Sequence, residues 1–266
     1  ARFLSSLLWL PPIFPTFSFG AIPQSQKHKF KPPCLRSIAG TIAVARIGFI
    51  TGIEKEAAIL RGKTEIPEID ICCAGASTDD ACRLASKLVQ NGCELLISFG
   101  VAGALSPKLK AGDLVLPRSV VDGRGEILAT DLLYHKKLTS HLSQRMALSD
   151  GNLYGSTALI SDAIEKRRLH QTLGSVAVDI ESLGIAKAAR EQGCPFLIVR
   201  AISDTAEQNL PAACLNAIDG GGEIQISKVL LDLAKNPTDL PDLIRLGNNS
   251  RKAFATLGRV AALGFA

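Results

Sequence analysis

Length, composition and charge limit the classes of protein that this sequence fits. The chain has 266 residues, of which 47% are hydrophobic, 5% are aromatic and 23 are glycine. This balance suits an α/β domain with tight turns better than an aromatic-rich β-sandwich. The net charge is +5, but no Asp or Glu precedes Glu54, so the excess lies at the N-terminal end. We therefore expect no basic face for nucleic acid.

The first forty residues differ from the rest of the chain. They are apolar near the start, but Pro11, Pro12 and Pro15 interrupt the apolar run early, so it is too short to span a bilayer. We interpret residues 1–40 as a disordered extension upstream of a true start near residues 41–44. An export signal or a membrane role is the alternative. The domain is then expected over 41–266.

From Thr41, segments typical of strands and helices alternate. Strands are predicted at 41–52, 68–76, 93–105, 111–122 and 194–204, with helices at 54–62 and 77–92. A short strand followed by a helix is predicted over 175–193. The strands are apolar throughout rather than alternating, which is typical of a sheet covered on both faces. The pattern predicts a single α/β domain with a central twisted sheet flanked by helices.

Glycines and one serine predict where these elements end. Ser77 is expected to cap the helix that follows it, and Gly62 and Gly92 to end the two helices. Gly100 and Gly103 predict that the strand at 93–105 breaks into a turn, where backbone N–H groups could approach an oxygen-rich ligand. The segment is neither GxGxxG nor a P-loop, so a nicotinamide or ATP enzyme is poorly supported.

After Asp204 the sequence predicts a C-terminal helical extension. Three amphipathic helices are expected, "ISKVLLDLAKN", "TDLPDLIRLGNN" and "SRKAFATLGRVAAL", separated by Pro237, Pro241 and Gly247. We expect them to pack on the domain. The alternative is that their apolar faces shape a binding surface or contact a membrane.

The seven cysteines predict neither a disulfide framework nor a zinc site. Their number is odd and no Cys-x-x-Cys pair occurs. We interpret them as reduced, mostly buried thiols, which indicates a cytoplasmic protein. No metal and no redox cofactor is expected.

Acidic residues follow several of the predicted strands. Asp179 and Glu181 should point the same way on a strand, although a helix N-terminus would also favour them. Taken singly, Asp204 suits a helix cap and Glu56 a solvated helix position. Because ligands gather at the carboxyl ends of strands in open α/β sheets, the set together predicts a functional site.

Four segments resemble the nucleoside phosphorylase/nucleosidase superfamily. "IGFITGIEKEAAIL", "SFGVAGALSPKLKAGDLVLP", "VAVDIESLGIAKAA" and "PFLIVRAISDTA" are similar to motifs of the methylthioadenosine/S-adenosylhomocysteine nucleosidases, with Ile180 where Met is usual. The later "LPAACL" and "NPTDLPDLIRL" resemble the hopanoid-associated phosphorylase branch. That branch is implied to remove adenine from adenosylhopane. The resemblance also implies a homo-oligomer.

The resemblance implies a role for each matching residue. Asp204 would protonate the purine, Glu56 would activate water, and Glu181 would bind the ribose hydroxyls. N-glycosidic cleavage passes through an oxocarbenium-like sugar, so it needs an acid for the leaving group and a base for the nucleophile. Asp204 is expected beside an apolar wall that lets it keep its proton. The remaining implied substrate contacts are Ser203, Ile180, Val101, Ala102 and Gly103.

Some positions depart from the family pattern. Ser98 and Val101 fall where the family has its phosphate ligands, so the resemblance implies that those ligands are missing. Water is then as suitable a nucleophile as phosphate, and phosphate is retained as a co-substrate to test. The aromatic residue that stacks on the purine falls at Ile164. Residues 118–160 match little, and His135 is interpreted as a surface residue.

Three hypotheses follow for the function. The first is an enzyme that releases adenine from a nucleoside with a large apolar 5′ group, such as adenosylhopane, with peripheral membrane contact as an option. A closely related enzyme hypothesis is a methylthioadenosine/S-adenosylhomocysteine nucleosidase. The second, of another class, is a non-catalytic protein that binds nucleosides or lipids, and retention of Glu56, Glu181 and Asp204 together argues against it. The third is a structural membrane-associated scaffold, which rests only on residues 1–40 and the C-terminal helices.

Overall fold

The computed structural model describes residues 46–265, apart from 64–68, 212–213, 215–216 and 219. The expectations for residues 1–40, and for a strand that begins at Thr41, lie outside the described residues. Within the described ranges, no helix is both long and apolar enough to cross a membrane.

Ten strands form one mixed sheet. They are β1 (Ile47–Thr51), β2 (Ile69–Cys73), β3 (Leu95–Ala104), β4 (Leu114–Val115), β5 (Ser119–Val121), β6 (Ile127–Ala129), β7 (Leu148–Ser149), β8 (Asn152–Gly155), β9 (Ser175–Asp179) and β10 (Phe196–Asp204). The main path through the sheet is β6-β5-β8-β9-β3-β10-β4-β7, and β1 joins β2 to β3. β3 lies at the centre, parallel to β1 and β10 and antiparallel to β9.

Seven helices surround the sheet in the described residues. They are α1 (Glu54–Lys63), α2 (Thr78–Gln90), α3 (Leu132–Ser143), α4 (Ala163–Leu173), α5 (Ser182–Gln192), α6 (Ile226–Lys235) and α7 (Leu240–Leu263). Side chains of α2 and α5 pack in one apolar core, and those of α1, α3 and α7 pack in a second. The predicted sheet covered on both faces, with helices at the C-terminal end, is thus confirmed.

Local signals mark several element ends as expected. The Ser77 side chain accepts a hydrogen bond from the Asp80 N–H at 3.2 Å and caps α2. Gly92, just beyond α2, has φ of +95°, a conformation that glycine adopts without strain. The prediction that Gly62 ends α1 is wrong by one residue, since that helix continues to Lys63.

The predicted turn at Gly100 and Gly103 is wrong. β3 continues through both residues to Ala104 because β10 pairs with it along this whole stretch. The glycines are required by close neighbours instead. A Cβ at Gly100 would lie 2.6 Å from Glu56 Oε1, and one at Gly103 would lie 3.0 Å from Asp204 Oδ2.

The single strand expected at 111–122 is divided at Pro117. β4 pairs with β10 and β7, whereas β5 pairs with β6 and β8. Proline has no N–H to donate to a strand ladder, and the chain changes partners at this residue.

The three predicted C-terminal helices are two. α7 runs through both Pro241 and Gly247. Pro241 is in the first turn, where a missing N–H breaks no helical hydrogen bond. The second half of α7 is anchored by Ala253, Leu257 and Val260 in the core, and this packing outweighs the low helix propensity of Gly247.

Candidate active site

One cavity gathers nearly all of the predicted site residues. It is formed where β1, β3, β9 and β10 end, and it is closed on one side by residues 158–160. Glu56, Glu181 and Asp204 all line it, and all three are buried. The predicted contacts Val101, Ala102, Gly103, Ile180 and Ser203 line the same cavity.

Glu56 lies in the first turn of α1 and points inwards rather than into solvent. Its Oε2 accepts hydrogen bonds from the N–H groups of Gly52 and Ile53, at 2.9 and 3.1 Å. Its Oε1 accepts one from the Val101 N–H at 2.7 Å. Burial raises the pKa of Glu56, while the nearby Arg200 guanidinium opposes this. A raised pKa makes the ionised carboxylate a stronger base near neutral pH.

Arg200 organises the centre of the site, and the sequence analysis gave it no role. Its side chain is completely buried on β10. Nε donates to Asp179, and Nη2 donates to the Ser98 and Ser182 hydroxyls at 2.6 and 3.2 Å. An arginine inside the apolar run "LIVRAIS" was the available signal, because a charge is rarely placed in a core without a partner.

One Arg200 nitrogen, Nη1, is buried and has no hydrogen-bond partner among the described residues. A Cβ at Gly100 would lie 2.6 Å from this nitrogen and 2.6 Å from Glu56 Oε1. Glycine at this position therefore lets the Arg200 and Glu56 side chains both approach the backbone of β3.

Glu181 and Asp179 do not share a strand face as expected. β9 ends at Asp179, and Glu181 is the residue immediately before α5. Asp179 is occupied by Arg200 and Ser182, whereas Glu181 reaches Arg200 Nη2 only at 3.4 Å. Burial, together with the charges of Asp179 and Glu56, raises the pKa of Glu181 to about 8 against the opposing effect of Arg200.

Asp204 ends β10, but its surroundings differ from the expected apolar wall. Oδ1 accepts a hydrogen bond from the Ser203 hydroxyl at 2.8 Å. Oδ2 accepts one from the ammonium of Lys166 at 2.6 Å. Lys166 is completely buried on the inner face of α4, where Leu169 is also buried. That spacing of three residues was the sequence signal for Lys166.

The structure does not place Ile164 in the cavity. It is the second residue of α4 and is 73% exposed, since the buried face of that helix is formed by Lys166 and Leu169. Leu159 and Ile160, which precede the helix, line the cavity instead.

His135 is not the surface residue that was expected. It is buried on α3, and its Nε2 forms a hydrogen bond with the Leu116 carbonyl at 3.0 Å. It does not line the cavity. We therefore interpret His135 as a structural residue.

Comparison with protein families decides the class of the molecule. The family described as the phosphorylase superfamily matches residues 57–217. The chain belongs to this superfamily. The matched range contains Glu181, Arg200 and Asp204 and excludes only Glu56 among the cavity acids, so it coincides with the site. The prediction of an enzyme of the nucleoside phosphorylase and nucleosidase class is confirmed.

Curated members of the superfamily are similar to this chain at a distance. The 5′-methylthioadenosine/S-adenosylhomocysteine nucleosidase of Staphylococcus aureus is 25% identical over 183 residues, which cover 62% of this chain and 76% of the relative.

Solved members of the superfamily share the fold. The methylthioadenosine/S-adenosylhomocysteine nucleosidase of Neisseria meningitidis, in complex with methylthio-immucillin-A, superposes with a TM-score of 0.63 at 16% identity. The alignment covers 82% of this chain and 97% of that one. The futalosine hydrolase of Helicobacter pylori gives a TM-score of 0.58 at 18% identity, covering 73% of this chain and 98% of that one.

Proposed function

We propose that this protein cleaves the N-glycosidic bond of a 5′-substituted adenine nucleoside and releases adenine. The observation that carries the proposal is the convergence of three buried acids, Glu56, Glu181 and Asp204, on one cavity. Cleavage needs three separate functions, namely protonation of the base, binding of the sugar and activation of a nucleophile. One acid is available for each.

Asp204 is assigned to the leaving group. As the bond from C1′ to the base breaks, its electron pair moves to the base, and a proton from Asp204 makes the departing adenine neutral. Ser203 holds the Asp204 carboxyl through the contact to Oδ1. Leu159 and Ile160 line the same cavity and provide an apolar surface, which suits a planar base.

Glu181 is assigned to the sugar. A carboxylate accepts two hydrogen bonds and can take both ribose hydroxyls. Ile180 lies beside it in the cavity wall and provides an apolar surface for the ring.

Water is the nucleophile that the electrostatics favour. It would donate a hydrogen bond to Glu56, which lines the cavity and lies near the buried Arg200 guanidinium. As its oxygen bonds to C1′, its proton passes to Glu56. A phosphate dianion is disfavoured because Arg200 already serves Asp179 and Glu181, so one cation would face several anions.

The 5′ substituent is proposed to be large and apolar, with adenosylhopane as the substrate that the sequence resemblance implies. Leu210 and Ile218, from the segment after β10, contribute further apolar wall to the cavity. A methylthioadenosine/S-adenosylhomocysteine nucleosidase is the second candidate, and it is favoured by the curated relative.

Adenine release, measured with and without phosphate, tests the reaction. We expect release that does not require phosphate, and Asp204→Asn should lower kcat by about 10²-fold or more, as for loss of a general acid. Asp150→Asn is the matched control, because Asp150 is an exposed acid paired with Arg118. A strict requirement for phosphate would contradict the assignment of water.

A substrate series tests the 5′ group. Adenosylhopane, methylthioadenosine and S-adenosylhomocysteine would be compared by kcat/KM, and the first should be preferred. Preference for the second or third would support the nucleosidase alternative. Binding of adenine without release from any nucleoside, in a folded protein, would instead support a non-catalytic binding protein.

A further inference from the structure

Lys166 is a buried cation that the proposed reaction does not yet use. Its side chain is completely buried, and Nζ donates to Asp204 Oδ2 at 2.6 Å. Nζ also donates to the carbonyls of Thr205 and Gln208, at 3.1 and 2.8 Å. An ammonium has three hydrogens, and these three oxygens match them.

These three hydrogen bonds fix the position of the Lys166 ammonium. Two of the three acceptors are backbone carbonyls of the segment after β10, so the ammonium is held by the main chain independently of Asp204. Lys166 itself is not part of the cavity wall. It contacts Asp204, which lines the cavity, and can affect a bound molecule only through that residue.

We propose that Lys166 is the positioning residue for leaving-group departure, orienting Asp204 and stabilising the carboxylate that remains when Asp204 gives its proton to the base. The inference rests on the proposed function. In this step the O–H bond of Asp204 breaks, an N–H bond forms on the base, and the electrons of the C1′–N bond move to the base. Asp204 gains a negative charge as the bond breaks, 2.6 Å from a fixed ammonium.

Buried, preorganised charges stabilise such developing charge far better than charges in water. The ammonium needs no rearrangement, since its contacts to Thr205 and Gln208 are already made. Because Lys166 acts through Asp204, its effect should be specific to substrates whose leaving group requires a proton.

The test compares two substrates in wild type and Lys166→Met. One is the adenine nucleoside that wild type cleaves best, and the other is a nitrophenyl riboside, whose leaving group departs without a proton. For the nucleoside we expect kcat to fall by about 10²-fold, with little change in KM. For the nitrophenyl riboside the rate should remain within about threefold of wild type.

Two further variants separate positioning from structure. Arg168→Met, on the exposed side of the same helix, is the matched control and should leave both rates unchanged. Adding Lys166→Met to Asp204→Asn should cost less than about threefold, because no carboxylate remains to be stabilised. A similar loss in both backgrounds, or on both substrates, would overturn the proposal.

The double variant also covers the case in which Lys166→Met does not fold. Removing one member of a buried ion pair leaves an uncompensated charge, whereas removing both avoids this. If only the double variant folds, a rate on the nucleoside more than about tenfold below that of Asp204→Asn would contradict the proposal. Wild type that cleaves neither substrate would instead refute the proposed function.

Discussion

At the scale of single residues, Glu181 links the site to pH. Its pKa of about 8 comes mainly from burial and secondarily from the charges of Asp179 and Glu56. The ionised form is the one that accepts both ribose hydroxyls. Glu181 should therefore ionise when a nucleoside binds, or at mildly alkaline pH.

This raised pKa predicts a pH-dependent cost in stability. Between the ordinary value of 4.5 and about 8, the folded state binds a proton that the unfolded state has lost. The free energy of unfolding therefore falls as pH rises through this window. Glu181→Gln removes this titration. The free energy of unfolding of the variant, relative to that of wild type, should therefore increase with pH and level off above about pH 8.

Urea unfolding at a series of pH values measures this difference. Glu191→Gln, at an exposed position of α5, serves as the control and should show a constant difference. A constant difference for Glu181→Gln as well would show that the group titrates alike in both states.

Single residues were predictable as members of the site where they follow a strand end or a family motif. Glu56, Glu181 and Asp204 were predicted in this way, and all three line the cavity, while their roles stay predictions. Lys166 and Arg200 were not, because their importance lies in pairs that are distant in sequence, such as Lys166 with Asp204. No local spacing encodes such a pair, although burial of a charge in an apolar pattern indicates that a partner exists.

At the scale of elements, the contact between α2 and α5 sets the position of Glu181. Gly184 in α5 lies so close to α2 that a Cβ there would overlap the Thr78 carbonyl. The Thr78 hydroxyl also donates to the Ile180 carbonyl at 2.7 Å, just before α5 begins. The start of α5, and with it Glu181, is thus fixed by this helix pair.

Gly184→Ala should therefore both destabilise the fold and weaken substrate binding. Overpacking of a close contact costs about 1–3 kcal/mol, and displacement of α5 should raise KM. Gly247→Ala is the matched control in α7, since no atom lies within 4 Å of its added Cβ. It should stabilise the protein by about 0.5–1 kcal/mol. Equal melting temperatures for the two variants would contradict this account.

Two of the errors in element prediction share one physical origin. Gly100 and Gly103 suggested a turn, and Gly247 suggested a helix end, because local propensity was considered alone. In the structure, pairing with β10 keeps β3 extended, and the core keeps α7 continuous. Tertiary contacts override propensities of about 1 kcal/mol per residue.

At the scale of the whole molecule, the C-terminal end of the chain completes the second core. Phe265 packs edge-on against Phe49 of β1 and Phe99 of β3, with ring centroids 4.9 and 5.9 Å apart. Phe265 thus covers Phe49 and Phe99 in this core. We expect folding to require α7 as a whole.

Phe265→Ala should lower the free energy of unfolding by about 3–5 kcal/mol, as for other buried aromatic residues. Ile164→Ala is the control, because Ile164 is 73% exposed and its loss should cost less than about 0.5 kcal/mol. Chemical denaturation at fixed pH measures both. A small effect at Phe265 would mean that the second core is complete without it.

The fold class was predictable because alternating elements and unbroken apolar strands constrain the architecture strongly. The strand order and the change of partners at Pro117 were not, since they depend on long-range pairing. The homo-oligomer and the boundary near residue 41 stay predictions.

The uninterrupted course of β3 has a consequence for how the chemistry can change. Gly100 lies against Glu56, and Gly103 lies against Asp204, so about 10 Å of extended backbone separates the two positions on β3 that contact the proposed proton acceptor and the proposed proton donor. This spacing is set by the peptide unit itself and not by any side chain. Inserting one residue would lengthen it by about 3.3 Å and turn the residues beyond it to the opposite face. Substitutions in the cavity wall can therefore change which substrate binds, but no substitution in β3 can change the distance between these two positions.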